Sequence, residues 1–259
     1  MTKADRFREL HRPGQPLLMP NAWDPGSAKV LASLGFEALA TTSSGYAATL
    51  GLLDYSVTRE EALAGAKPIV DAVDVPVSAD LENCFDDPAE TVRMAIETGL
   101  AGCSIEDFSG DREDPIYRIE LAAERVAAAA EAAAANLVLT ARAENYLHGR
   151  KDLDDTIARL QAYQQAGADV LYAPGIKTAE DIRRVVEAVE RPVNVLAVPG
   201  VPPVEELAAL GVSRLSIGGA FAFAALGAAV QVAEQLRDQG TYGHWELAGV
   251  GLRAARESF

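Results

Sequence analysis

Cysteine is scarce: the 259 residues contain two, Cys84 and Cys103, which excludes a disulfide framework, and their spacing is not that of a zinc site. Histidine is scarce as well, and His11, His148 and His244 share no ligand spacing, so all three read as surface or loop residues. Basic residues are outnumbered, with 23 Lys plus Arg against 38 Asp plus Glu and a formal charge of −15, which argues against nucleic acid and other polyanions as partners. Long apolar runs are missing too. No stretch suits a membrane span, and the opening "MTKADRFRELHRPGQ" is charged where a signal peptide would be apolar. A cytoplasmic protein, bound neither to membrane nor to nucleic acid, is the expectation.

What is present is a substantial apolar fraction, 49%, arranged with a rhythm. Short runs rich in Val, Ile and Leu fall near residues 16–20, 37–42, 75–80, 102–106, 137–141, 169–173, 192–198 and 213–217. Strands buried on both faces read this way. Helical patterns lie between them, near 26–34, 58–73, 88–98, 117–135, 152–166, 178–190, 203–210 and 219–238. "LASLGFEAL", "AIETGLAGCSI", "YQQAGADVLY" and "LAALGVSRLSI" each encode a helix, a glycine cap, a short loop and a strand. Eight such units in a chain of this length predict a (β/α)8 TIM barrel, which typically needs about 250 residues. An open doubly wound sheet is the alternative, but it calls for a glycine-rich phosphate fingerprint where the chain has "NAWDPGSA". No linker divides residues 1–259, so a single barrel domain is expected. From about residue 219 the sequence is apolar around much of its helical circumference, which predicts burial in a homo-oligomer, a dimer or a tetramer.

In a parallel barrel the chemistry gathers at the C-terminal ends of the strands. There the sequence places Trp23, Ser44, Gly45, Tyr46, Asp80, Glu82, Glu106, Arg142 and Asn194. Crowded carboxylates repel each other unless protonated or neutralised, and a hard divalent cation neutralises several at once. Oxygen ligands without clustered His or Cys favour Mg2+, with Mn2+ as a substitute, over Zn2+. Such an ion could chelate a 2-oxo acid and stabilise an enolate, with Arg142 clamping the substrate carboxylate and "SSGY" offering N–H groups and hydroxyls. In "PVSADLENCFDDP", Asp86 and Asp87 precede Pro88 and read as a helix cap and its neighbour. Cys84 reads as a small buried or loop residue, Cys103 as core, and Trp23 either walls the pocket or packs the barrel mouth.

"LLMPNAWDPGSAKVLASLGFEALATTSSGYAATLGLLD", "VPVSADLENCFDDP", "AGCSIEDF", "LTARAENYL", "AYQQAGADVLYAPGI" and "PVNVLA" occur in order over nearly the whole chain. Together they resemble the isocitrate lyase/phosphoenolpyruvate mutase superfamily. The resemblance implies a barrel with Mg2+, small 2-oxo or 2-hydroxy carboxylate substrates, and tetramers of dimers that exchange the eighth helix. It implies Asp80 as direct metal ligand, Glu82 in the place of a second aspartate, and Glu106 and Asp54 as further acids near the metal. Ser44, Gly45 and Tyr46 match the carboxylate-binding turn, Arg142 the strand-5 arginine, and Asn194 a substrate contact. The lyase loop Lys-Lys-Cys-Gly-His is replaced by "DFSGDREDPIYRIE", which argues against a cysteine general acid, and "ARAEN" stands for the commoner "ARTD". The expected activity is Mg2+-dependent C–C cleavage, including decarboxylation, with a proton from residues 109–117 or solvent. P–C chemistry on phosphonopyruvate-type acids is the alternative, and a non-catalytic 2-oxo acid binder the third.

Overall fold

The computed structural model describes residues 1–111 and 113–259. Nine parallel strand segments, each followed by helix or loop, form one sheet in the order β1-β9-β8-β7-β6-β5-β4-β3-β2. They are β1 (Leu17–Met19), β2 (Asn21–Ala22), β3 (Leu39–Thr41), β4 (Val77–Asp80), β5 (Gly102–Glu106), β6 (Val138–Arg142), β7 (Val170–Tyr172), β8 (Val193–Leu196) and β9 (Arg214–Ser216). The first two are halves of one strand, parted at Pro20, which has no N–H to give a ladder. β1 pairs with β9 and β2 with β3, so this broken strand joins both edges of the sheet and closes the (β/α)8 barrel. Pro20 still contributes its carbonyl, which accepts from the Ala40 N–H at 2.9 Å.

The expected strands and helices are found within a few residues of their expected bounds. Caps set several helix starts: Thr58 forms a capping box with Glu61 ahead of α4 (Arg59–Ala72), and Asp87 caps α5 (Pro88–Thr98) with Pro88 in its first turn. Asp152 caps α7 (Leu153–Gln165). Two helices were not anticipated. α3 (Ser43–Thr49) occupies the segment read as a turn, and α1 (Lys3–Glu9), capped by Thr2 and Asp5, lies in the charged N-terminal stretch.

α1 closes the N-terminal end of the barrel. Its Phe7 is fully buried, and Gly102 of β5 makes room for the ring: a Cβ there would sit 2.7 Å from Phe7 Cε1. His11, expected at the surface, is instead buried beneath the barrel, edge-on to Phe7 at 4.7 Å. Its Nδ1–H donates to the Phe7 carbonyl at 2.7 Å, which leaves Nε2 as the acceptor for an Arg214 N–H at 3.1 Å. The correction has a simple cause, since the four-residue spacing from Phe7 places the imidazole on the face that Phe7 buries.

At the other end of the chain, α10 (Ala220–Gln239) and α11 (Trp245–Ser258) present Phe223, Leu226, Val230, Trp245 and Leu252 about half exposed or more. α11 lies against α2 (Pro25–Ser33), with Phe259 reaching Lys29 and Gly26. Among the described residues no helix is long and apolar enough to cross a membrane.

Burial and the neighbouring Arg214 charge hold the His11 pKa down to about 3 from 6.5. Above pH 6.5 the ring is neutral folded or unfolded; as pH falls below it, only the unfolded chain takes up the proton, so stability is lost. Between pH 7 and pH 5 this group removes about 2 kcal/mol of folding stability. Urea unfolding at the two values should show that loss in the wild type and its absence in His11→Asn; parallel behaviour of the two proteins would disprove it.

Candidate active site

The C-terminal ends of β4, β5 and β6 bring Asp80, Glu106 and Arg142 together, with Glu144 two residues beyond β6. Arg142 spends its guanidinium on all three acids: Nη1 donates to Asp80 at 2.9 Å and Nε to Glu144 at 2.8 Å, while Nη2 is ion-paired with Glu106 at 3.1 Å. Its ring-side face lies over Tyr172 at 5.2 Å. Two of the three carboxylates have further donors. Asp80 accepts from the Ser43 N–H and hydroxyl at 3.3 and 3.1 Å and from Ser104 at 3.2 Å, and Glu106 accepts from the Tyr55 hydroxyl at 2.6 Å.

The charge count around Arg142 does not balance. Asp54, Asp80, Glu82, Glu106 and Glu144 face one another across the barrel mouth, and among the described residues Arg142 is the one cation that meets several of them. Burial is the main force raising the pKa of Glu82, to about 8, with Asp80 and Asp54 adding to it. Burial likewise raises Glu106 and Glu144, and the Arg142 charge pulls both back. Glu82 Oε1 and Glu144 Oε2 are buried acceptors without a hydrogen-bond partner among the described residues. A surplus of oxygen donors and unpaired buried lone pairs suits a hard divalent cation in chemistry and in charge. It is not a preformed cage: among the described residues no three acidic, His or Cys side chains converge on one point, because the Arg142 guanidinium holds the centre.

Ser44, Asp54, Asp80, Glu106, Arg142 and Asn194 line one cavity of about 210 Å³. Gly45, Tyr46, Trp23 and Glu82 do not line it. Because residues 43–49 are helical, successive side chains point about 100° apart, and of "SSGY" only the two serines line the cavity. Gly45 instead packs against Trp23 Cβ and Ala222, where a Cβ would lie 3.3 and 3.1 Å away. Tyr46 lies over Gly65 of α4, and with Glu82 it lines a separate small pocket behind Asp80. Asn194 reaches the cavity with both ends of its amide engaged, to Ser216 at 2.9 Å and Arg214 at 3.0 Å.

The loop of residues 109–117 folds on itself, Ser109 N–H donating to the Pro115 carbonyl at 2.7 Å and Tyr117 packing on Arg125. None of its described residues lines the cavity, and Arg112 lies outside the described residues. The hydroxyl at the mouth comes from Tyr55, which sequence reasoning passed over. Tyr55 leans on Phe108 at 4.7 Å, and His148 stacks on the other side of Phe108 at 4.1 Å, half-buried rather than loose on the surface. Tyr172, Ser216 and Arg214 were missed as well. Each sits at an inward position of a strand, where a polar residue amid apolar neighbours is the available signal.

Behind the site lies a second buried network. Asp107 accepts from Arg159 at 3.0 Å, Tyr163 at 2.5 Å and the Glu144 N–H at 2.7 Å, so it fixes the backbone that carries Glu144. Asn145 turns away to brace α7 through Thr156 at 2.6 Å.

The profile of the phosphoenolpyruvate phosphomutase family matches residues 7–237. The chain belongs to this family. A solved protein of Burkholderia cenocepacia J2315 superposes with a TM-score of 0.89 at 54% identity, over 93% of this chain and 89% of that one. The oxaloacetate decarboxylase of Pseudomonas entomophila is 31% identical, over 85% of this chain and 80% of its own length. A phosphonopyruvate hydrolase solved with oxalate and Mg2+ is 25% identical with a TM-score of 0.84, over 96% and 91% of the two chains. The family membership expected from six ordered motifs is therefore confirmed, as is the barrel.

Removing Asp107 strands part of a buried ion-pair network. Asp107→Ala should lower the unfolding free energy by about 3 kcal/mol, read from the urea midpoint, and an unshifted midpoint would show that Arg159 and Tyr163 do not depend on it.

Proposed function

We propose that this member of the phosphoenolpyruvate phosphomutase family is a carbon–carbon lyase acting on small 2-oxo or 2-hydroxy carboxylic acids, with decarboxylation of an oxaloacetate-like acid the reaction that suits it best. The observation behind this reading is the surplus of carboxylates around Arg142 in a cavity at the C-terminal end of the barrel. Mg2+, or Mn2+ in its place, held by Asp80 and Glu106 from the cavity and by Glu82 from the pocket behind Asp80, would supply the positive charge that polarises a 2-oxo group when a bond to its neighbouring carbon breaks.

The chain's own residues account for the rest. Arg142 keeps the acids apart and oriented, Ser44 offers a hydroxyl at the cavity wall, and the Tyr55 hydroxyl holds Glu106. Asp54 adds a carboxyl whose pKa burial raises, with a Ser43 hydrogen bond opposing the rise. Decarboxylation asks least of the region after β5, since CO2 leaves without needing a proton and solvent can protonate the carbon left behind. That matters here, because the described residues of 109–117 bring no acid to the cavity. The second reading, P–C bond chemistry, is favoured by the likeness to phosphonopyruvate hydrolase and shares the same acids.

The exposed apolar faces of α10 and α11 support a homo-oligomer, dimer or tetramer, working in the cytoplasm. Sedimentation velocity should give a species of at least two subunits, and a monomer at micromolar concentration would remove that part of the proposal. For the reaction, the purified protein with Mg2+ is to be assayed against oxaloacetate, methylisocitrate, a dimethylmalate-like acid and phosphonopyruvate. Release of pyruvate and CO2 from oxaloacetate is expected, lost on chelation and reduced at least about 100-fold in Asp80→Ala. Unchanged turnover in a folded Asp80→Ala protein overturns the mechanism; phosphate from phosphonopyruvate selects the P–C reading, and binding without product from any acid selects a sensor.

A further inference from the structure

Two arginines line the cavity, and their surroundings are opposite. Arg142 meets three carboxylates and has no nitrogen free of them. Arg214 is only 3% exposed and meets none. Its Nε donates to Asn194 Oδ1 at 3.0 Å, Nη1 to His11 Nε2 at 3.1 Å and Nη2 to Thr140 Oγ1 at 3.1 Å, all neutral acceptors. His11 cannot act as a counter-charge, since a second proton on it would repel the guanidinium.

Of the five N–H donors of a guanidinium, three are thus used, and no acid among the described residues lies within ion-pair distance of the other two. Burial and the Arg142 charge push the Arg214 pKa down to about 9, still high enough to leave it charged at neutral pH. Buried cations without an anion are costly and rare in native folds.

The barrel's geometry explains how one cation sits deep and the other at the mouth. Glu106, Arg142, Tyr172, Asn194 and Arg214 are successive register partners across β5, β6, β7, β8 and β9. Strands in a barrel tilt against its axis, so a row running straight across them spirals. The row starts at the acid-rich mouth and ends at Arg214, beside the α1 plug and still on the cavity wall.

Resting on the proposed action on small carboxylic acids, we infer that Arg214 is the anion anchor at the floor of the cavity, taking a second carboxylate of the substrate, remote from the bond that breaks. The substrate is then a diacid that spans from the acid cluster to the floor. Arg142, assigned to the substrate carboxylate by sequence reasoning, organises the acids instead.

Binding alone tests this, without turnover. With Mg2+ present, titration calorimetry compares the unreactive diacids malonate and succinate with the monoacids pyruvate and acetate, on wild type, Arg214→Gln and Arg214→Lys. The wild type should prefer each diacid by at least about 10-fold; Arg214→Gln should abolish the preference while changing monoacid affinity little, and Arg214→Lys should keep part of it. Equal loss for diacids and monoacids, or a wild type without preference, overturns the inference. Should Arg214→Gln fail to fold by circular dichroism, the wild-type comparison and Arg214→Lys decide. A diacid preference lost in Arg214→Gln, in a protein that turns over none of the acids, would leave the anchor standing and remove the lyase reading.

Discussion

The Arg142 guanidinium is the point on which the barrel mouth depends. Three carboxylates from β4, β5 and the loop after β6 approach it within 3.1 Å, and all four side chains are largely buried. Without that charge, Asp80, Glu106 and Glu144 would face one another bare, and burial would raise Glu106 and Glu144 further. The surrounding hydrogen bonds make sense in this light. Ser43 and Ser104 donate to Asp80 and Tyr55 donates to Glu106, while Asp107 accepts the Glu144 N–H and so fixes the backbone that carries the third acid.

Strain collects beside the same cluster. Glu82, Cys84 and Phe85 all have φ between 51° and 59°, a left-handed conformation that costs a non-glycine residue about 1–3 kcal/mol. The segment persists because its neighbours leave it no alternative. Arg125 binds the carbonyls of Asn83 and Phe85, Thr91 binds that of Cys84, and the Glu82 carbonyl accepts from the Glu106 N–H. One result is that Glu82 leaves the cavity that Asp80 faces and enters the pocket shared with Tyr46.

Much of this was legible in the sequence, and the failures have physical causes. Apolar runs, glycine caps and Pro88 marked the strands and most helices, since each is a local signal. α3 escaped because seven residues of Ser, Gly, Tyr, Ala and Thr carry no apolar period, and with it went the directions of Gly45 and Tyr46. His11 and Arg214 lie 203 residues apart, and nothing local brings them together. In "SRLSI", Arg214 looks like a solvated strand flank. Its alternation with buried Ser216 on the same face is the trace of an inward polar row, which becomes readable once the closure through Pro20 and the plug by α1 are known.

The two arginines also set an order of events. A chain of net charge −15 repels an approaching dianion, while burial raises Glu82 and Glu106 toward their neutral, protonated forms and so lessens their share of that repulsion. Arg214 is attractive, but it lies below them and is reached last. On the proposed reading, the charge that remains on the mouth carboxylates is neutralised before the acid enters. After that, the field along the cavity points one way, from a compensated mouth to an uncompensated positive floor. A diacid held in that field has its remote carboxylate at Arg214 and its reacting end among the carboxylates, an orientation fixed by charge before any contact specific to the reaction is made.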